Sequence, residues 1–133
     1  MDSIELAKPR ALLVEDEALV ALAVEDSLRM LGFDPVIAAN GVKALAAMAQ
    51  YGSDFAFVML DVGLPDMRGD ALAHEIRDRA PALPIILATG YDADELAKAF
   101  GADNHFRVLA KPYSNHQLRI ALGELGLTAD LKS

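Results

Sequence analysis

The sequence predicts an α/β fold, with a mostly parallel five-stranded sheet covered by helices on both faces in a single domain. Two observations point there. Five short apolar runs rich in branched residues alternate with longer segments of helical period, the pattern of repeated βα units. The third and fourth runs are also continuously apolar, as strands buried on both faces are. At 133 residues the chain is long enough for one core and too short for two ordinary domains.

The first run is Ala11-Leu-Leu-Val14. After it, Val20, Val24, Leu28 and Leu31 recur at three- and four-residue steps, and Gly32 sits where a helix ends, which predicts a first helix. The second run, Pro35-Val-Ile-Ala-Ala39, is weaker and suits an edge. Asn40-Gly41 opens a second helix carrying Leu45 and Met48 and closing near Tyr51-Gly52. The third run is Phe55-Ala-Phe-Val-Met-Leu60. Asp70 is expected to cap a third helix carrying Leu72 and Ile76 and stopped by Pro81. Pro84-Ile-Ile-Leu-Ala88 is the fourth run, and Asp92 to Phe100 a short fourth helix with Leu96 and Phe100 on one side. Phe106-Arg-Val-Leu-Ala110, again edge-like, is the fifth. Ser114 is placed to cap a last helix whose Leu118, Leu122 and Leu125 face inward. There is no internal repeat.

Charge and composition narrow the function. Lys plus Arg number 12 and Asp plus Glu 20, a net charge of −8, so the overall field repels nucleic-acid backbones and anionic membrane surfaces. No apolar run is long enough to span a bilayer, and the N-terminus lacks the basic-then-apolar order of a secretory signal, so a cytoplasmic protein is expected. Zero cysteines exclude disulfides, thiolate metal sites and a cysteine nucleophile.

Ligands of open α/β sheets bind beyond the carboxyl ends of the strands, so what each strand ends on matters most. The first run ends on Glu15-Asp16, the third on Asp61, the fourth on Thr89-Gly90 and the fifth on Lys111-Pro112. Carboxylates about 5 Å apart repel by roughly 3 kcal/mol per pair at an effective dielectric near 20, so this cluster needs a cation. Oxygen donors alone favour a hard divalent ion, and a small site that keeps waters favours Mg²⁺ over Ca²⁺. A carboxylate beside such an ion can serve as a nucleophile and form an aspartyl phosphate. Asp61, central and solitary, is the natural acceptor; Thr89 and Lys111 can donate to phosphoryl oxygens, and Gly90 leaves access for a donor. Each residue alone has an ordinary explanation as a cap or turn residue. Their convergence on one rim in βα order does not.

Leu12-Leu-Val-Glu-Asp-Glu17, Met59-Leu-Asp-Val-Gly-Leu-Pro-Asp-Met-Arg-Gly69, Leu83-Pro-Ile-Ile-Leu-Ala-Thr-Gly90 and Leu109-Ala-Lys-Pro-Tyr113 together resemble the receiver domain of two-component response regulators. The likeness runs from about residue 10 to 126, with 1–9 as a short extension and 127–133 as a tail. It implies a flavodoxin-like (βα)5 three-layer sandwich with strand order 2-1-3-4-5. It implies that Asp61 is the phosphoacceptor, that Asp16, Asp61 and the Gly63 carbonyl ligate Mg²⁺, and that Glu15 acts through metal-bound water. Thr89 and Lys111 would hold the phosphoryl group, and the bond before Pro112 would be cis.

Two features depart from the family pattern. The aromatic expected three residues before the lysine, which follows Thr89 in the switch, is replaced by Val108; Phe106 is expected on the opposite face as core. Pro84-Ile-Ile-Leu-Ala-Thr-Gly-Tyr91 resembles the signature of a subgroup of stand-alone receivers called FAT GUY, with Ile85 and Leu87 in place of its two phenylalanines. Members lack the same aromatic and work with histidine kinases of the HWE and HisKA2 type. Tyr91 and Gly63 would flank the attacking water and influence loss of the phosphoryl group. His74, His105 and His116 have no ligand spacing. Arg77, Asp78 and Arg79 suggest a wet helix face, the methionines Met30, Met48, Met59 and Met67 suggest packing, and Asp66 and Asp70 suggest loop shaping and capping.

The expected function is that of a stand-alone response regulator, a signalling phosphoprotein rather than an enzyme. It would take a phosphoryl group from a sensor histidine kinase and act on a downstream protein or serve as a phosphate sink, as a monomer or weak dimer. The family docks kinases on helix one, where Leu19, Leu22 and Ala23 offer an apolar edge, and signals through helices four and five with strand five. A receiver that works without phosphorylation is the main alternative. A haloacid dehalogenase-like phosphohydrolase would want an acid where Gly63 stands, and a flavin carrier would not tolerate Glu15-Asp16-Glu17 in its phosphate loop.

Overall fold

The structure is a computed structural model and describes residues 8–127. Along the chain come β1 (Arg10–Val14), α1 (Ala18–Met30), β2 (Asp34–Ala38), α2 (Gly41–Tyr51), β3 (Phe55–Asp61), α3 (Gly69–Arg79), β4 (Ile85–Thr89), α4 (Ala93–Ala99), β5 (Phe106–Ala110) and α5 (Asn115–Glu124), with a 3₁₀ turn over Gly52–Asp54. All strands are parallel in the order β2-β1-β3-β4-β5, which bears out the expected sheet and puts the two weak runs at its edges. Strand limits differ from the apolar runs by at most a residue, because the ladder takes in Arg10, Asp34, Asp61 and Thr89, which hydropathy leaves outside.

Two cores explain the continuous apolar runs. Leu12, Val14, Val58, Leu60, Ile85 and Leu87 face a cluster closed by α2, α3 and α4. Their neighbours Leu13, Phe57, Met59 and Ile86 face a second cluster closed by α1 and α5. Because strand side chains alternate in direction, a strand buried on both faces must be apolar at every position. Val24 and Leu28 of α1 and Leu118 and Leu122 of α5 are buried as the helical period requires, and Leu125 is half-buried against the same cluster.

Capping follows the sequence at two helices. Asn40 accepts the Lys43 N–H at the start of α2, and Ser114 and Gln117 form a reciprocal capping box at α5. At α3 the expectation is corrected. Arg68 occupies the cap position, and Asp70 lies inside the first turn, where its carboxylate takes the Arg68 guanidinium. Gly69 explains the shift. A Cβ there would fall 2.1 Å from the Asp61 carbonyl oxygen and 2.7 Å from Val62 Cα, so the helix begins pressed against the end of β3.

Three further expectations are corrected. Phe106 is core as expected but shares its face with Val108, as an i, i+2 strand pair must, and stacks on Phe100 with centroids 3.9 Å apart. Met30 is 80% exposed and packs nothing, since it ends α1 on the solvent side. Arg77 is no wet residue. Its guanidinium binds the Asp103 carboxylate and the carbonyls of Ala80, Leu83 and His105, joining the segments that lead into β4 and β5. The proposed extension and tail lie outside the described residues except Lys8, Pro9 and Leu127; Leu127 packs against the α1/α5 core. No helix among the described residues is long and apolar enough to cross a membrane.

Candidate functional site

Register decides what meets at the sheet's carboxyl edge. β3 is the longest strand and runs one residue past the Val14↔Leu60 pair, placing Asp61 opposite Ala88. Glu15 follows β1, Thr89 ends β4, and Lys111 follows β5 after the Thr89↔Ala110 pair. The Lys111 N–H donates to the Thr89 carbonyl at 2.7 Å, which fixes the turn that carries the ammonium. The Lys111–Pro112 bond is cis, in line with the resemblance.

The side chains converge. One carboxylate oxygen each from Glu15, Asp16 and Asp61 lies within 4.8 Å of the others. Lys111 Nζ stands 2.5 Å from Asp61 Oδ1, and the Gly63 N–H donates to Asp61 Oδ2 at 3.1 Å. An open cavity of about 930 Å³ is lined by Asp16, Asp61, Gly63, Thr89, Tyr91 and Lys111 among others, Gly90 included. A Cβ on Gly90 would meet nothing within 4 Å, so that edge of the cavity is open. Of the residues expected to modulate the site, Tyr91 is 85% exposed at the cavity mouth. Val108 and Pro112 are not brought into the cavity: Val108 packs on the α2–α4 core, and Pro112 lines the adjoining groove beside α1.

The electrostatics follow from burial and proximity. Burial is the main reason the Glu15 carboxyl titrates above its ordinary value; the Asp61 and Asp16 charges add to it, and the Glu17 N–H and Lys111 oppose it. Burial works against the Lys111 ammonium, yet the hydrogen bond and charge of Asp61 outweigh it and raise its pKa. Tyr113, buried and facing the Glu15 and Asp61 charges, is pushed up to about 12.

Residues that sequence reasoning passed over also belong here. Arg68 lines the cavity and bridges Asp70 and Asp92, the latter at 3.9 Å. Asp92 reaches back to the Thr89 hydroxyl. The only signal for Arg68 was that it is the one basic residue between Asp61 and Asp70. Asp66 fulfils its expected role at an unexpected helix, for its carboxylate accepts the N–H groups of Gly41 and Val42 and caps α2 from 25 residues away.

A family model for the response regulator receiver domain matches residues 11–123. The chain belongs to that family. Sensor kinase CckA of Brucella abortus is 37% identical over 114 residues, which are 86% of this chain and 12% of that protein. The probable transcriptional regulatory protein TcrX of Mycobacterium tuberculosis is 36% identical over 124 residues, 88% of this chain and 51% of that one. Among solved structures, a CheY-like response regulator receiver domain from Methylobacillus flagellatus matches with a TM-score of 0.76 at 29% identity, covering 90% of this chain and 99% of that one. The receiver thus spans about half or less of these two curated relatives. Receiver domains bind Mg²⁺ in an acidic pocket. The donor set of this receiver fits such an ion, being three carboxylates close enough to share one cation with no sulfur or imidazole donor among them.

Proposed function

We propose that this receiver accepts a phosphoryl group on Asp61 from the phosphohistidine of a sensor histidine kinase and signals through contacts made by its own surface. One observation carries the reading. The Asp61 carboxylate is held by Lys111 and the Gly63 N–H while it faces an open cavity beside two further carboxylates. In the transfer, an Asp61 oxygen forms a bond to phosphorus as the donor's phosphorus–nitrogen bond breaks, and the departing imidazole keeps the electron pair and takes up a proton.

Asp16, Asp61 and the Gly63 carbonyl would hold Mg²⁺, with Glu15 acting through a bound water. When bound, the ion supplies positive charge to the carboxylates and the phosphoryl oxygens. Lys111 leaves its ion pair to hold a phosphoryl oxygen, and the Thr89 hydroxyl donates to another.

The kinase would dock on α1. Leu19, Leu22 and Ala23 are exposed there, and a groove of about 710 Å³ between α1 and α5 is lined by Glu17 and Lys111, which also line the acceptor cavity. An apolar surface continuous with the acceptor pocket suits a partner that must bring a phosphohistidine to Asp61. The Pro84–Tyr91 segment and Val108 support a partner kinase of the HWE or HisKA2 type.

The test is incubation with a small-molecule phosphodonor and Mg²⁺, followed by intact mass measurement. Wild type is expected to gain one phosphate-sized increment and Asp61→Asn none. No gain in wild type, under conditions in which control receivers react, leaves the phosphorylation-independent reading standing instead. Sustained turnover of a phosphate ester would point to a hydrolase.

A further inference from the structure

The Thr89 hydroxyl is already occupied. Thr89 is 2% exposed, and its Oγ1 lies 2.5 Å from the Tyr91 carbonyl oxygen, its nearer acceptor, and 3.2 Å from Asp92 Oδ1, while accepting the Tyr91 N–H at 3.1 Å. A hydroxyl has one proton to give, and two oxygens are placed to take it. Asp92 stands at the cap position of α4, where an Asp side chain ordinarily accepts a backbone N–H of the first turn. Here it caps nothing. Its carboxylate turns instead to Thr89 on one side and to Arg68 Nη2, at 3.9 Å, on the other. Asp92 also has φ 48°, the only left-handed non-glycine among the described residues, a conformation that Asp adopts where its side chain hydrogen-bonds locally.

We propose that Asp92, flanked on its outer side by Arg68, is a positioning residue that acts with the Tyr91 carbonyl to keep the Thr89 hydroxyl turned toward the β4–α4 loop, so that a phosphoryl oxygen on Asp61 must compete with both for that proton. The inference rests on the phosphoacceptor reading of Asp61 and deepens it. When the hydroxyl turns to the phosphoryl group, Asp92 loses its inner partner. Because Asp92 is the residue from which α4 starts, that loss reaches the helix directly. This route needs no aromatic side chain at Val108, which does not line the cavity.

The competition is measurable with Mg²⁺ and trifluoroberyllate, a phosphoryl mimic that binds without a covalent donor. Asp92→Asn, which keeps the shape of the side chain and weakens the acceptor, is expected to bind the mimic about threefold more tightly than wild type, less than the full worth of one ordinary hydrogen bond because the Tyr91 carbonyl still accepts from Thr89. Asp94→Asn, an exposed acid of the same first turn, removes the same charge and is expected to change affinity by less than twofold. In a Thr89→Val background Asp92→Asn is expected to have no further effect, a dependence that a merely structural Asp92 would not show. Arg68→Gln, which loosens Asp92 without altering its acceptor atoms, is expected to give a smaller gain of about twofold and keeps the question open to test should Asp92→Asn fold poorly. Equal affinity for wild type and Asp92→Asn, an equal gain from Asp94→Asn, or a gain that survives Thr89→Val would overturn the proposal. Wild type that binds no mimic at all would overturn it together with the phosphoacceptor reading, an outcome distinct from equal binding by wild type and variant.

Discussion

Replacing Arg77 by Ala would remove a clamp from the sheet edge opposite the acceptor. The guanidinium is 18% exposed and its partner Asp103 21%, and it binds that carboxylate at 2.8 Å together with the carbonyls of Ala80 at 3.0 Å, Leu83 at 2.6 Å and His105 at 3.2 Å. Hydrogen bonds to a charged group contribute about 1.5–3 kcal/mol each in favourable cases, but four ending on one side chain are not independent. Water can also reach the vacated carbonyls at this partly exposed edge. The expected loss is about 2–4 kcal/mol. With an unfolding entropy of about 2.1 cal/mol/K per residue, a chain of this length has about 0.28 kcal/mol/K, so Tm should fall by about 7–14 °C. In urea, with a slope of about 2 kcal/mol/M, the midpoint should drop by about 1–2 M. Arg77→Lys is expected to lose more than half as much, because one ammonium cannot fork to three carbonyls contributed by separate turns. Asp103→Asn should cost less than Arg77→Ala. Phosphorylation of the folded fraction should be unchanged, since none of these groups lines the acceptor cavity. A loss below about 0.5 kcal/mol for Arg77→Ala, the range of ordinary surface substitutions, would refute the reasoning and return Arg77 to the solvated face that the sequence suggested.

Other substitutions test other links. Gly69→Ala drives a methyl group into the backbone at Asp61 and Val62; it should cost about 1–3 kcal/mol in urea unfolding and slow phosphorylation in parallel, whereas Gly90→Ala, facing open space, should cost little. Asp66→Ala should lower the urea midpoint at neutral pH. The hydrogen bonds from Gly41 and Val42 hold the Asp66 carboxyl below its ordinary 3.8, so its contribution is full above about pH 4 and vanishes as pH falls through the lower folded-state value. A midpoint difference between wild type and Asp66→Ala that fails to narrow as pH falls below 3.8 would contradict that assignment. Mg²⁺ at about 100 times its Kd should stabilise the protein by about 2.7 kcal/mol, and Asp16→Asn should lose most of that increment in a thermal melt. Tyr91→Ala should leave the melt unchanged, because the side chain is exposed, but alter the rate at which the phosphorylated protein loses phosphate; an unaltered rate would remove Tyr91 from the site.

Local sequence determined most of the architecture because the signals that encode it are local. Five apolar runs, their helical partners and the caps Asn40 and Ser114 are each legible within a dozen residues, and the strand ends name Glu15, Asp16, Asp61, Thr89 and Lys111 as neighbours once the strands lie parallel. Tertiary structure alone decided which partners the polar side chains take. Asp66 caps a helix 25 residues upstream, Arg77 gathers carbonyls from two later segments, and Asp92 forgoes its own helix for Thr89 and Arg68. Hydrophobic period fixes the face a residue occupies, whereas a hydrogen bond needs an acceptor within about 3 Å, and no one-dimensional pattern records which distant backbone atom arrives there.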